Sequence, residues 1–485
     1  MKSAQATFYH NPFSQRQFRQ FLTVLILGAI LSGCAAVGPN YVPPESKAPD
    51  DWHTELEGGL LLQPASPEIL ARWWTTLDDP LLSSLLDRAA QNNLDLRKAM
   101  LRVREARARR GISEASRFPT LDGAAAASVR RTSENSGTGK ETDTYSVEFD
   151  AGWEIDVFGG IRRGIEAADA DLGATEADLH DVLVSLLAEV ALNYIEARTY
   201  QVRLEVAQAN IRIQTETLTL NRSRFEVGLA NELVVQQAQY NLESTRSQIP
   251  ALRVGLDGVI NRLAVLLGEY PGALHPEIIQ PRPIPVAPAT IVVGIPLETL
   301  RNRPDIKRAE RNLAAQTARI GVATADLYPK FRLSGFIGLE SFSAGDLFTA
   351  GSRTWQVGPG MSWRLFDAGA IRRNIEVQTA LQEQALAAYE AAMLNALEEV
   401  ENAMIAFSEE QKHRQSLLSA AEAASRAVTL AQDLYKAGLV DFSNVLDAQR
   451  SMLSFQSELA RSDGAVTSNL VRLYKALGGG WETVQ

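Results

Sequence analysis

The side chains that could support catalysis or metal binding are few and widely spaced. The chain contains one cysteine, Cys34, and five histidines, which lie at positions 10, 53, 180, 275 and 413. A single thiol excludes an intrachain disulfide and a cysteine-cluster metal site, and the histidines lack the short spacing of zinc ligands. The sequence also lacks a phosphate-binding glycine-rich loop and a nucleophile elbow. We therefore expect no enzymatic activity, no metal and no cofactor.

Composition alone indicates a water-soluble protein. Of 485 residues, 45% are hydrophobic and 22% are charged, and the formal net charge is -10. These values exclude a disordered chain, and the acidic balance does not favour nucleic acid, which is bound by basic surfaces. The longest apolar run, Phe21–Leu31, spans about eleven residues and is too short for a membrane-spanning helix. The order of the residues, rather than their average, leads to a different expectation.

The N-terminal segment has the pattern of an export signal. Residues 1–33 contain three basic residues and no acidic one, and the apolar run is followed by small residues. The segment Leu31-Ser-Gly-Cys34 resembles a bacterial lipobox, in which the cysteine is lipidated and becomes the first mature residue. On this resemblance Cys34 carries the lipid anchor, and Ala35 after it favours the outer membrane. The alternative is a buried free cysteine in a cytosolic protein.

The two halves of the chain align with each other at a constant offset of 210 residues. Pro119 pairs with Pro329 and Trp153 with Trp363, without gaps over the whole alignment. Each half is much longer than a solenoid unit, so the chain contains a duplicated domain. We expect a signal peptide at 1–33, a lipidated extended segment at 34–84, repeat 1 at 85–268, a proline-rich connector in an equatorial region at 269–303, repeat 2 at 304–478 and a C-terminal tail at 479–485.

Each half contains a predicted β-hairpin. Apolar and polar residues alternate over Tyr145–Val157 and over Trp355–Leu365, which is the period of a strand. Weaker alternation at 121–129 and 331–339 supplies a partner strand for each. Strands of this length suit a membrane-spanning β-strand, although a hairpin packed on a soluble core has the same alternation. Three tryptophans near the strand ends fit an interfacial aromatic girdle or an ordinary core: Trp153, Trp355 and Trp363.

Four strands are too few to close a barrel. The smallest single-chain barrels have about eight strands, and unpaired sheet edges are not tolerated in lipid. If these strands cross a membrane, the barrel must be shared between chains. Two, three or four copies would meet this requirement, and the strand pattern does not choose among them.

The rest of each half is predicted to be helical. Neither 161–227 nor 371–437 contains a proline, and helices of about 67 residues would be roughly 100 Å long. The dipeptides Gly228-Leu229 and Gly438-Leu439 then provide turning points, because glycine readily adopts the left-handed conformation that ends a helix. About 40 further helical residues follow each dipeptide, so we expect one long antiparallel helical hairpin in each half. A coiled-coil stalk without a pore would give the same pattern.

Several motifs resemble the TolC-like outer membrane factor family, in its lipoprotein branch (OprM-like or NodT-type). They include Trp73-Trp74, Arg303-Pro-Asp-Ile-Lys-Arg-Ala-Glu310, Tyr435-Lys-Ala-Gly-Leu439, Val445-Leu-Asp-Ala-Gln-Arg450 and the segment 473–481. The resemblance implies an α+β membrane protein: a homotrimer with a twelve-strand outer-membrane β-barrel, four strands from each chain, continuous with a long periplasmic α-helical barrel. Such proteins are exit ducts of tripartite pumps. They dock through a periplasmic adaptor to an inner-membrane RND-type transporter, which supplies the energy and the substrate specificity.

The resemblance also assigns site residues by position. Asp447 matches an aspartate that rings the periplasmic aperture, Asn444 stands where relatives often have a second aspartate, and Tyr435 matches a gating tyrosine. Arg450 would pair with Asp447 within the helix, as residues three apart can, or across chains. The adaptor-docking tips are expected at Gly228, Leu229, Gly438 and Leu439. The duct would pass small molecules and drugs; the alternatives are type I protein secretion and a periplasmic spacer lipoprotein.

Overall fold

The computed structural model describes residues 36–45, 49–63 and 67–481. Cys34 and the expected signal peptide lie outside the described residues. The helices are α1 (Pro67–Ala71), α2 (Pro80–Asn92), α3 (Leu94–Ala115), α4 (Gly160–Glu226), α5 (Glu232–Arg246), α6 (Gln248–Leu266), α7 (His275–Ile278), α8 (Pro296–Asn302), α9 (Pro304–Ala325), α10 (Ala370–Lys436) and α11 (Phe442–Ala476). The strands are β1 (Leu60–Leu62), β2 (Thr120–Arg131), β3 (Glu141–Ile155), β4 (Ile291–Val293), β5 (Lys330–Ser341) and β6 (Arg353–Ser362).

The predicted repeat is visible in the element bounds. Helices α3 and α9, α4 and α10, and strands β2 and β5 begin and end at positions that differ by the same offset as the sequence alignment. Both α4 and α10 contain 67 residues, as the proline-free segments predicted. Among the described residues, no helix has the length and apolar composition needed to cross a membrane.

Two compact units can be distinguished by their internal contacts. The first, which we call the sheet unit, contains 36–43, Glu105–Leu172 and Arg311–Ala387 within the described residues. The second, the hairpin unit, contains Pro44–Arg104, Gly173–Glu310 and the described residues from Ala388 to 481. Each is described separately below.

The sheet unit contains a four-stranded antiparallel sheet in the order β2-β3-β5-β6. In its register Phe149 lies beside Ile337, and Ile337 lies beside Trp355. These side chains therefore share one face, while the opposite face carries neighbours such as Glu148 and Asp150. Ile337 is 64% exposed and Trp355 is 73% exposed. The sheet thus presents an apolar face that nothing in the described chain covers.

The strand ends differ slightly from the prediction. Strand β3 ends at Ile155 and β6 at Ser362, two and three residues before the predicted ends.

The indole N–H of Trp153 donates to the carbonyl of Arg117 (2.8 Å), and that of Trp363 donates to the carbonyl of Leu327 (3.1 Å). These two bonds are equivalent in the two repeats. Both indoles therefore fasten a strand end to the segment that precedes the hairpin.

The N-terminal segment expected to be extended and the proline-rich connector both contain short helices and strands. The N-terminal segment contains β1 and α1, and the proline-rich connector contains α7, β4 and α8. Strand β1 pairs in parallel with β4, so that Leu60 lies beside Ile291. Strands of three residues show no measurable alternation, which is why the sequence did not indicate this two-stranded sheet.

Helix α2 contributes four fully buried residues to the core of the hairpin unit: Leu82, Leu85, Leu86 and Ala89. Asp79 caps this helix by accepting hydrogen bonds from the backbone N–H groups of Leu81 (2.9 Å) and Leu82 (3.0 Å), and Pro80 occupies the first turn, where its missing N–H costs nothing. The phenol of Tyr194 donates to the other carboxylate oxygen of Asp79 at 2.6 Å. Burial, together with this bond, raises the pKa of Tyr194 to about 12. The hydroxyl therefore remains protonated and the contact persists at physiological pH.

The Arg303 motif joins the start of repeat 2 to the end of α11. The buried guanidinium of Arg303 donates to the carbonyl of Ala476, to Asp305 and to Glu399, each at 2.7 Å. It thereby satisfies a carbonyl that the helix end leaves without a partner. This contact gives the motif a structural role in closing the hairpin unit.

The second arm of the first helical hairpin is interrupted, whereas that of the second is continuous. Helix α11 has 35 residues, but the equivalent stretch is divided into α5 and α6 at Ser247. Pro250 follows the break and cannot donate a hydrogen bond to the carbonyl of Arg246. The residues predicted to be helical after Gly228-Leu229 therefore form two consecutive helices in the first repeat.

Close packing of α11 on α4 depends on a glycine. A Cβ atom at Gly464 would lie 3.2 Å from the Cβ of Thr199 and would collide with its hydroxyl, whereas a Cβ at Gly258 would meet nothing within 4 Å. We predict that Gly464→Ala lowers the midpoint of thermal unfolding, with a cost of about 1–3 kcal/mol from overpacking. Helical circular dichroism during heating measures this midpoint.

Gly258→Ala is the matched control, because it also replaces a helical glycine but at an exposed position. Its better helix propensity should leave the midpoint unchanged or raise it. Equal midpoints for the two variants would contradict the proposed contact with Thr199.

Candidate functional site

The long helices α4 and α10 end in the same hydrogen-bonded cap, at the Gly-Leu turn that follows each of them. Gly228 and Gly438 have φ values of 77° and 75°, the left-handed region that glycine enters without strain. The N–H of Leu229 donates to the carbonyl of Arg224 (2.7 Å), and that of Leu439 donates to the carbonyl of Leu434 (2.9 Å). With the glycine N–H bonds to residues three positions earlier, this is the Schellman motif.

The residues after these glycines are unusually exposed for leucine. Leu229 is 70% exposed and Leu439 is 71% exposed. The Schellman caps tie each leucine and the glycine before it to the preceding helix, so the two side chains project from hydrogen-bonded turns. Each turn therefore presents an apolar residue to its surroundings, as a contact point for another protein would.

Tyr435 lies inside the packing beside the second turn. Its side chain is 8% exposed, and its hydroxyl donates to the side-chain oxygen of Asn221 on α4 at 2.8 Å. The guanidinium of Arg224 lies over its ring at 4.7 Å from the centroid, and the ring of Phe442 is 5.4 Å away. Burial raises the pKa of Tyr435, with a smaller opposing effect from the charge of Arg224. Tyr435 thus connects the end of α10 to α4 as a neutral phenol.

The aperture residues predicted on α11 are exposed. Asn444 and Asp447 lie one turn apart near the start of the helix, and the amide of Asn444 donates to the carbonyl of Asp441 at 3.3 Å. No described side chain forms a hydrogen bond or ion pair with the carboxylate of Asp447. Asp447 is therefore free to act through its charge.

Arg450 does not pair with Asp447 in this structure. Its guanidinium donates to the hydroxyl of Tyr240 (2.5 Å) and to the side-chain oxygen of Asn241 (3.3 Å), both on α5. Its central carbon also lies 5.2 Å from the centre of the Tyr240 ring. The expected pairing within the helix is thus replaced by a contact that joins α11 to the first helical hairpin of the same chain.

Buried polar side chains, which the sequence-based predictions did not include, extend this contact towards α4. Gln449 donates to the hydroxyl of Thr217 at 2.9 Å and accepts from Asn241 at 3.3 Å. Thr217 belongs to a stripe of buried polar residues on α4 whose spacing of four, three and four is helical: Asn210, Gln214, Thr217 and Asn221. That spacing was visible in the sequence. Tyr240 is the repeat equivalent of Arg450, but the alignment of the repeats does not show that the two positions meet.

The described N-terminal segment is bound at the end of the sheet. The N–H of Val37 donates to the carbonyl of Phe158 at 3.0 Å. Arg163, which is 4% exposed, donates to the carbonyls of Val37 (3.1 Å) and Gly38 (3.3 Å) and to the side-chain oxygen of Asn40 (2.7 Å). Ala36 lies against Gly159, where a side chain would collide with it. These contacts fix the chain two residues after Cys34.

The described residues contain no group of three or more histidine, cysteine, aspartate or glutamate side chains that could hold a metal ion. What the arrangement offers is mechanical and electrostatic. It combines capped helix turns with exposed leucines, an unpaired carboxylate, and a cation that links two helices through neutral partners.

Comparison with known proteins gives one consistent result. The family model for outer membrane efflux proteins matches residues 85–269 and 295–479. Nodulation protein T of Rhizobium leguminosarum bv. trifolii is 33% identical over 95% of this chain and 98% of its own length. The solvent efflux pump outer membrane protein SrpC of Pseudomonas putida is 32% identical over 94% of this chain and 97% of its own length.

Solved structures agree with the sequence comparisons. The outer-membrane channel OprN has a TM-score of 0.87 and 35% identity, covering 92% of this chain and all of that chain (100%). CusC, described in connection with transmembrane channel formation, has a TM-score of 0.82 and 29% identity over 92% of this chain. The chain therefore belongs to the outer membrane efflux protein family.

Proposed function

We propose that this outer membrane efflux channel works as a homotrimer, in which four strands from each chain form a shared twelve-strand barrel. The observation that carries this proposal is the four-stranded sheet, with its exposed apolar face and with β2 and β6 at its two edges. Each unpaired backbone group would cost several kcal/mol in lipid. Pairing β6 of one copy with β2 of the next removes every edge.

The channel is the exit duct of a tripartite efflux system, spanning the outer membrane and extending into the periplasm. The helical hairpins would form the periplasmic duct, and a periplasmic adaptor would connect it to an inner-membrane RND-type transporter. The relatives named for solvent or cation efflux favour small molecules over type I protein secretion as the cargo. Family membership removes the case for a spacer lipoprotein without a channel.

The adaptor would dock at the two helix turns. Leu229 and Leu439 are the exposed apolar residues of these turns, and their equivalent caps present them in the same way in both repeats. A surface of paired, ordered leucines suits a partner with complementary apolar pockets. Gly228 and Gly438 would contribute through backbone conformation alone.

The periplasmic aperture would be controlled by Asp447 and Arg450. Three unpaired Asp447 carboxylates around one axis would attract cations to a constriction, while Asn444 leaves the ring with less charge than a double aspartate. The bonds from Arg450 to Tyr240 and Asn241 would hold the two hairpins of each chain together in the closed state. Opening would then require α11 to separate from α5.

The lipid anchor would be attached to Cys34. The contacts of Val37 and Ala36 hold the chain beside Phe158 and Gly159, just past the end of β3. The first described residues thus lie beside the end of a proposed membrane strand, which suits a lipid anchor attached two residues earlier in the sequence.

The shared barrel predicts a stable oligomer. An unheated outer-membrane fraction should migrate on a denaturing gel at about three times the mass of the chain, because the closed barrel leaves no backbone group unpaired for detergent to disrupt. Heating should convert it to a monomer band. Native mass spectrometry giving two or four copies, or a monomer in the soluble periplasm, would contradict the trimer.

The aperture assignment predicts larger channels in two variants. Asp447→Ala and Arg450→Ala should each raise single-channel conductance in planar bilayers, because the first shortens the side chains at the constriction and the second removes the contact between hairpins. Asp447→Ala should also lower the preference for cations, because it removes the charged ring. Tyr240→Phe should cause a smaller rise, because Arg450 keeps its bond to Asn241.

Arg426→Ala is the control, since it removes an exposed charge from α10. Its conductance should equal that of the unmodified protein. If Asp447→Ala and Arg450→Ala also leave conductance unchanged, these residues do not control the aperture.

The anchor assignment predicts loss of lipid labelling in one variant. Cys34→Ser should incorporate no labelled palmitate, because the chain contains no other cysteine. It should still reach the outer membrane, since the barrel strands insert independently of the lipid. Retention of the label by Cys34→Ser would show that the lipid is attached elsewhere or that the signal is of another type.

A further inference from the structure

A cavity of about 420 Å³ lies between α4, α5 and α11, in the hairpin unit and beside the contact between Arg450 and Tyr240. Its wall is dominated by polar groups. Three guanidinium groups reach it, from Arg203 on α4 and from Arg450 and Arg461 on α11, and hydroxyl groups of serine and threonine fill much of the remaining surface. Its volume suits a small solute.

The charges of this wall are unbalanced. Glu458 is the single carboxylate of the lining, and it pairs with Arg461 at 3.2 Å. The hydrogen bond of Arg203 goes to the hydroxyl of Ser457 at 3.4 Å, and those of Arg450 go to a phenol and an amide. Two of the three cations are therefore bonded only to neutral groups within the described residues.

The surroundings of Arg203 disfavour its charge. Partial burial lowers the pKa of Arg203 and the nearby charge of Arg461 lowers it further, with smaller opposing effects from Tyr200 and from Glu458, which does not contact it. Removing a guanidinium from water without a carboxylate is unfavourable unless an anion compensates for it. A negatively charged ligand in the cavity would contribute that compensation to Arg203 and Arg450 together.

We propose that this cavity binds a small oxyanion: a phosphate, a sulfate or the carboxylate of a small organic acid. Guanidinium groups bind such anions through paired N–H donors with matching geometry, and the serine hydroxyls can donate to the remaining oxygens. The occupant is a free anion of the periplasm rather than a lipid, because the cavity lies among the hairpin helices.

The ligand would join the two helical hairpins of the chain. Arg203 belongs to the first hairpin, whereas Arg450 and Arg461 belong to the second. An anion bound between them would add to the contact of Arg450 with Tyr240 and would favour the closed aperture. This consequence rests on the proposed aperture, whereas anion binding itself does not.

Binding is tested by titrating inorganic phosphate into the full-length protein in a nonionic detergent and measuring heat. We expect saturable binding at about one site per chain, weakened about tenfold or more by Arg203→Gln, which removes a charged donor. Arg253→Gln is the matched control, because Arg253 is exposed on α6 and outside the cavity. Absence of saturable binding, or equal loss in both variants, would overturn the proposal.

A second variant distinguishes loss of the binding site from a folding defect. Ser457→Asp places a carboxylate beside Arg203, where it should replace the anion. We expect it to raise the midpoint of thermal unfolding and to abolish the further rise that phosphate causes in the unmodified protein. A phosphate-dependent rise that persists in Ser457→Asp would overturn the site. Displacement of bound phosphate by a short-chain phosphatidic acid would support the oxyanion site but identify a lipid headgroup as its occupant.

The link to the aperture is measured separately in planar bilayers. Phosphate on the periplasmic side should lower conductance relative to chloride at equal ionic strength, and Arg203→Gln should remove this difference. Intact binding without any change in conductance would overturn the link and leave the binding site in place. If phosphate does not bind but Asp447→Ala and Arg450→Ala still raise conductance, the proposed anion site is overturned and the proposed aperture stands.

Discussion

The unpaired backbone groups along β2 and β6 impose the strongest constraint on this molecule. A strand in lipid has no water to bond, so every N–H and C=O of these two edges needs a partner. The chain offers no fifth strand in the described part of the sheet unit. In the proposed trimer the partner strand comes from another copy, and the apolar face around Ile337 and Trp355 is covered by the bilayer around the closed barrel. The proposed oligomer and the proposed barrel thus meet the same requirement.

The hairpin unit is subject to a different balance. Its long helices must pack closely enough to form a wall, as Gly464 and Thr199 do, yet part of that wall must move if the aperture opens. Buried polar contacts suit this need better than an apolar seam. Gln449 hydrogen-bonds to both Thr217 and Asn241, and each such bond contributes only about 0.5–1.5 kcal/mol net. Their donors and acceptors could bond to water once the helices separate.

Features that depend on neighbouring residues could be predicted from the sequence, whereas contacts between residues far apart in the chain could not. The proline-free runs and the Gly-Leu turns predicted two 67-residue helices, because helix continuation and termination depend on neighbouring residues. The constant offset transferred each assignment to the other half. The pairing of β1 with β4 could not be predicted, since three residues have no period. The partner of Arg450 was missed as well, because it depends on how α5 and α11 are rotated against each other.

The partner of Arg450 is Tyr240, its own repeat equivalent, so this contact needs the two repeats to carry different residues. Arg450 and Tyr240 occupy the same position in the two repeats, so the packing of α5 against α11 brings equivalent positions together. Two arginines there would repel each other, and two tyrosines would lack the charge-assisted bond and the cation–π contact. The contact therefore requires different residues at this position in the two halves. The two repeats also differ at Asp447, whose equivalent is the neutral Gln237. Each chain therefore contributes one carboxylate to the proposed ring instead of two.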